Sequence, residues 1–224
     1  MKYLRFIPTL LIAAVLFSGC AASQGASNSK APASAASKPS PKKKDDGPKK
    51  FSEVIKDDFV KDEGVFNIYR DSEKYYYEIP DAELGEEFLL VTRIAKTADN
   101  IGYGGQKANT QVVRWDRRGD KIDLKMVGYE NRGEEGDPIY HAVRNSNLEP
   151  IIKSFDIAAL NADTTGVVID ATSLFTSDVP ALGLQSGRRS QYQVRRVDAG
   201  RTYITSAKSF PTNIEVRHVL TYEA

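Results

Sequence analysis

Cysteine is nearly absent from this sequence: Cys20 is the single one among 224 residues. Disulfides within the chain are thereby excluded, whatever compartment it occupies, and so is a metal site built on thiolates. Histidine is almost as scarce. His141 and His218 lie far apart, and neither has a His or Glu at a helical ligand spacing, so the three or four converging ligands of a zinc centre are not in view. Excess charge is missing too: 31 basic against 30 acidic residues leave a formal net charge of +1, which implies no strongly charged partner. Basic residues are not interleaved with aromatics, so no nucleic acid is expected as a partner. No Gly-x-Ser-x-Gly elbow occurs. The one glycine-rich stretch, Gly102-Tyr103-Gly104-Gly105, lacks the ending of a phosphate-binding loop and the spacing of a dinucleotide fingerprint. It reads as a connection between strands or a flap. Asp57, Asp58 and Asp62 miss the spacing of a calcium loop. His218 reads as a hydrogen-bonded, half-buried strand residue, and His141 as a surface residue. Arg188-Arg189 and Arg195-Arg196 flank Tyr192; a solvated surface is the first reading, a carboxylate-binding patch the second. No catalytic or metal-binding residue is assigned.

What is present begins at the N-terminus. Lys2 and Arg5 precede an apolar run from Ile7 to Phe17, broken only by Pro8 and Thr9, and the small residues Ser18 and Gly19 lead to Cys20. This is the layout of a secretory signal peptide, too short for the roughly 20 residues that span a bilayer. Phe17-Ser18-Gly19-Cys20 resembles the bacterial lipobox, with Phe17 where Leu is usual and Leu16 beside it. The resemblance implies that residues 1–19 are removed and that Cys20 carries the lipid, so that the membrane is a partner through an anchor. Each buried CH2 adds about 0.8 kcal/mol of membrane affinity, and several chains hold stably. The alternative is an ordinary signal peptide with an incidental cysteine. Ala21 rather than Asp after the anchor points, by analogy, to the outer membrane of a bacterial cell envelope. Residues 20–50 contain no large apolar side chain, cannot offset the entropy of ordering, and are expected to be a disordered Ala/Ser/Pro/Lys tether. Its Lys42-Lys43-Lys44 run reads as solvated spacer, or as a contact to anionic headgroups.

From Phe51 onward Tyr, Phe, Val and Ile become frequent, and the remaining chain is long enough for one core of ordinary size. The pattern predicts a β-rich α+β fold, mainly antiparallel sheet with a few short helices. Gly64–Tyr69 alternates as a strand. Tyr75, Tyr77 and Ile79 share one strand face, and Tyr76 and Glu78 the other. Residues 80–85 read as one helical turn capped by Asp81 and ended by Gly85. Glu87–Ala95, apolar on both faces, reads as a central strand covered on both sides. Gln111–Trp115 and Lys121–Val127 form a hairpin turning through Gly119, with Ile122, Leu124 and Met126 opposed to Lys121, Asp123 and Lys125. Val167–Asp170 is a strand and Ala171–Ser177 a short helix stopped before Pro180. Tyr192–Val197 and Thr202–Thr205 are expected to pair. Ile214, Val216, His218, Leu220 and Tyr222 form one face of a half-buried strand. Left unpaired, such a strand would be an aggregation liability; this favours a truncated chain, although internal pairing is an alternative.

Two strings carry a family resemblance. Lys74-Tyr75-Tyr76-Tyr77-Glu78-Ile79-Pro80, followed by Leu84-Gly85-Glu86-Glu87-Phe88-Leu89-Leu90-Val91-Thr92-Arg93-Ile94-Ala95, resembles the opening of bacterial zinc-dependent metallopeptidases of the Met-zincin type. Ser209-Phe210-Pro211-Thr212-Asn213-Ile214-Glu215-Val216 is similar to a segment of their second N-terminal domain. The resemblance implies two N-terminal domains of unknown function, at 51–97 and 98–224. It also implies a zinc-binding His-Glu-x-x-His helix farther downstream. No such motif occurs here. The expectation is therefore a tethered, noncatalytic portion of an exported peptidase, with the protease domain or its peptide substrate as partner. The rival expectation is a free-standing lipoprotein that acts as a binding or assembly module.

Overall fold

The structure is a computed structural model that describes residues 47–131 and 133–224; Cys20, the signal segment and the tether up to residue 46 lie outside the described residues. In chain order the elements are α1 (Phe51–Val54), β1 (Val60–Asp62), β2 (Asn67–Arg70), β3 (Tyr75–Pro80), β4 (Glu87–Arg93), β5 (Lys107–Arg118), β6 (Lys121–Val127), α2 (Tyr140–Ser146), β7 (Ile151–Leu160), β8 (Gly166–Asp170), α3 (Thr172–Thr176), α4 (Ser186–Gln191), β9 (Tyr203–Ser209) and β10 (Ile214–Val219). The fold is mainly antiparallel sheet with short helices, as the patterning predicts.

Eight strands form one sheet in the order β1-β2-β3-β8-β7-β6-β5-β4, and β9 and β10 form a separate ribbon. Strands on both sides of residue 97 thus hydrogen-bond within a single sheet. β7 is its pivot. Residues 151–156 pair with β6, while residues 157–160 pair with β8, with a register shift between Ile157 and Ala159. The two ends of the sheet turn toward each other over one core. Phe66, just before β2, packs against Phe88 of β4 at 5.5 Å and Trp115 of β5 at 6.1 Å between ring centroids. Tyr75, Tyr77, Ile79, Ile122, Leu124, Phe155, Val167 and Ile169 complete that core with Leu174 and Phe175 of α3. Ile204, Ala207, Ile214 and Val216 of the β9–β10 ribbon pack onto its flank.

The two halves of the sheet differ on their outer faces. Behind β2, β3, β8 and the end of β7 sits a second apolar cluster of Tyr69, Tyr76, Ala159 and Val168. It is covered by Ile55, Phe51, Val54 and Phe59 from the segment around α1. Phe51 meets Tyr69 edge-on at 5.8 Å and Phe59 stacks on Tyr76 at 5.9 Å. Lys49 fixes the start of this cover through its backbone N–H to Ala158 O, 2.9 Å. Burial on both faces explains why β8 is buried along nearly its whole length. Behind β4, β5 and β6 the described residues supply no such cover.

Several local expectations are corrected. β4 is not a central strand but the edge of the sheet, and its burial alternates strictly along the strand. A run such as Phe88-Leu89-Leu90-Val91 identifies a strand but carries no information about its neighbours. Asp81 opens the 3-10 turn 81–83 without making a side-chain cap bond, while Gly85 does end it, at φ +89°. Tyr192–Val197 does not pair with Thr202–Thr205. Residues 203–209 pair with β10 instead, and residues 195–198 bond to 221–223 through Arg195 N–H to Glu223 O and Asp198 N–H to Thr221 O, both 2.8 Å. The last predicted strand is therefore paired internally, with β9.

Candidate docking face

The bare half of the sheet is the feature of the fold that has no structural explanation within the described residues. Register places Leu89 of β4 opposite Val112 of β5, and Val112 opposite Val127 of β6. Because Val113 points into the core, this row lies on the outer side. Leu89 is 66% exposed and Val91 44%. Ile151, opposite Lys125 across the β6–β7 pair, is 50% exposed. In the connection between β6 and β7, Tyr129, Ile139 and Leu148 are also exposed, and Tyr129 reaches this face by donating its hydroxyl hydrogen bond to Glu87. Single exposed apolar residues are ordinary; here the register aligns Leu89, Val112 and Val127 into one apolar row across three strands.

A charge network borders this row on the same face. Arg114 is bidentate to Asp116 at 2.8 and 3.1 Å and also reaches Glu149. Lys125 closes on Asp116 at 2.9 Å. Hydrogen bonding from Arg114, then from Lys125, holds the Asp116 carboxyl below its usual range. Directly across from Asp116 in the β5–β6 register, Asp123 is wholly buried. It accepts from Arg118 Nε at 2.6 Å and Nη2 at 3.1 Å, and from the Ser154 hydroxyl. Arg118, then Ser154, hold it below the usual carboxylate range against the opposing effect of burial. These charges pair with one another along the face.

The residues singled out in the sequence are dispersed. His218 is half-buried on β10; its Nδ1 lies 2.8 Å from Phe175 O, and its ring meets the Phe175 ring edge-on at 5.7 Å. That is the structural role its strand position suggests. His141 is exposed on α2. Arg189 is spent on Asp178, at 2.9 and 2.6 Å, beneath the Tyr222 ring. Arg196 is paired with Glu223 and Arg195 bonds to Ala224 O. Gly102–Gly105 belongs to the loop between β4 and β5, closed by Gly105 N–H to Ile94 O at 2.7 Å. A Cβ at Gly104 would lie 2.2 Å from Ala95 O, so the close approach of backbone requires glycine there. Asp62 accepts from Ser209 N–H. Cys20 lies outside the described residues. Among the described residues, no three His, Cys, Asp or Glu side chains gather in a metal-binding group, and no helix is long and apolar enough to cross a membrane. A surface depression of about 440 Å³ lies where β7, β8 and α3 meet, lined by Lys74, Ser154, Asp170, Thr172 and Thr176. Its Lys74 and Asp170 are 3.5 Å apart and paired.

The strands of this face are legible in the sequence, but the bare face is not: the apolar run in β4 signals a strand without showing which of its sides is covered.

Residues 105–224, more than half of the chain, match the family model of a domain of unknown function, DUF5117. Residues 48–97 match that of a second domain of unknown function, DUF5118. No curated protein and no solved structure matches the chain.

Proposed function

We propose that this chain, which belongs to the DUF5117 family, is the membrane-tethered, noncatalytic N-terminal portion of an exported zinc-dependent metallopeptidase of the Met-zincin type, and that its bare sheet face docks the catalytic domain. The observation that carries the docking reading is the row Leu89–Val112–Val127, uncovered on one half of the sheet while the α1 segment covers the other half. Two domains of unknown function, at residues 48–97 and 105–224, agree in number and approximate bounds with the two N-terminal domains expected at 51–97 and 98–224. The lipobox-like Cys20 supplies the anchor, and the zinc and the hydrolysis of peptide bonds belong to the catalytic domain. In this reading the face excludes water from an apolar interdomain contact, and the anchor with its tether keeps the protease close to the membrane.

The test is to read the coding sequence beyond codon 224 in all frames and to assay its full product for chelator-sensitive peptidase activity beside the chain alone. A downstream His-Glu-x-x-His and activity confined to the longer product support the proposal. Its absence over several hundred codons sinks it. The second reading, a cell-envelope lipoprotein acting alone as a binding module, draws on the same exposed row; it predicts a ligand captured by a chain with no downstream catalytic domain.

A further inference from the structure

Among the described residues the outer face of the sheet ends at an unpaired edge, and that edge has its own pattern. The other end of the sheet is β1, three residues long with Lys61 at its centre, the short, charged form that discourages strand addition. β4 is different. It is seven residues long and carries no proline. Its only register irregularity falls at the end, between Thr92 and Arg93. Its central residues, Phe88-Leu89-Leu90-Val91, are uncharged and apolar. Such an edge is open to another strand.

The charges at its two ends indicate which strand. Glu87 and Arg93 are both exposed and share the outer face with Leu89 and Val91. They are three residues to either side of Leu90. An antiparallel copy of β4 centred on Leu90 therefore sets Glu87 against the partner's Arg93 and Leu89 against the partner's Val91, and the same contacts recur by symmetry. Leu90 meets its own counterpart, and Phe88 meets the partner's Thr92. Opposite charges directly across an antiparallel pair attract, and like charges repel. The strand is thus self-complementary in charge and in apolar character, which is the requirement of a two-fold contact.

We infer that β4 pairs with β4 of a second copy of this chain, antiparallel about Leu90, joining two eight-stranded sheets through their free edges. The apolar rows of the two outer faces then run on from one copy into the other. The contact is small by the standard of permanent dimers, so association depends on concentration. This inference stands apart from the docking proposal, since it concerns the edge of β4 rather than the identity of what lies on the face.

The test measures the mass of the full chain by sedimentation equilibrium across a concentration series, in the wild type, E87R, R93E and the E87R/R93E double variant. The wild type is expected to reach the mass of two copies. Each single swap sets like charges together at two symmetric places and weakens association by roughly 30-fold. The double swap restores opposition and recovers the dimer. A wild type that stays at one copy throughout overturns the inference, including one that binds an extended peptide along β4 instead. So does a double variant that is folded by circular dichroism yet no more associated than the single ones. A second variant guards against a misfolded swap. On a C20S background, L89C combined with V91C is expected to oxidise to a covalent dimer, whereas L89C alone does not. Both positions are exposed, and a double-cysteine chain that remains monomeric on oxidation overturns the register.

Discussion

Removal of the buried charge at Asp123 should be costly, and costly in a pH-dependent way. The carboxylate is wholly buried and accepts three hydrogen bonds, two from Arg118 and one from Ser154. Asp123→Asn keeps the shape but turns an NH2 group toward those donors. Hydrogen bonds to a charged group contribute about 1.5–3 kcal/mol. Because the Arg118 side chain is 60% exposed, water takes over its charge and the loss should stay near the low end, about 2 kcal/mol. For a domain of this size that lowers Tm by roughly 4–8 °C. The folded-state carboxyl is held below its unfolded value. Its contribution is therefore present above the unfolded pKa of about 3.9 and is lost as pH falls through the folded value. Thermal melts of wild type and D123N should accordingly differ at pH 7 and converge in acid below about pH 4. Equal melting temperatures at pH 7, or a gap that persists undiminished in acid, would refute this account of the Asp123 site.

Ile55→Ala should destabilise the fold by about 2–5 kcal/mol in denaturant titration, because Ile55 is 6% exposed beneath the sheet half that the α1 segment covers; a change under about 0.5 kcal/mol would mean the cover is loose. Leu89→Ser, at a position 66% exposed, should leave isolated-chain stability within about 0.5 kcal/mol while weakening any contact made through the bare face, so a chain that unfolds on this change would show the row to be internal packing. Cys20→Ala should abolish incorporation of a fatty-acid probe and release the protein from membranes; continued labelling would mean that the lipobox reading fails.

Much of the fold was legible where periodicity and turn chemistry decide it. The opposition of Tyr75, Tyr77 and Ile79 to Tyr76 matches the two apolar clusters on either side of β3. The hairpin through Gly119, at φ +62°, is even tighter than the sequence suggests, with β5 and β6 extending to Arg118 and Lys121. Less was legible where a residue's environment comes from far along the chain. Asp123 reads as one of three charges on one face of β6, yet Ser154, 31 residues away, and Arg118 bond to it and it is buried. β7 was not foreseen, because its partners change from β6 to β8 along its length. The failed pairing of 192–197 has a similar origin: its partner is residues 221–223, not its neighbour across the turn. The run in β4 was visible as apolar on both faces, but which side is covered, and by what, is a tertiary fact.

The proposed role rests on the bare face of β4–β6, whose cover in the working protein is directly measurable. Hydroxyl-radical footprinting of Leu89, Val91 and Ile151 should be done on native membranes that carry the protein and on the purified chain of 224 residues, the latter diluted until it sediments as one copy. Strong labelling in the purified chain and protection of all three positions on membranes is the predicted result. Equal labelling in both would mean that nothing docks on this face, and would contradict the proposed role.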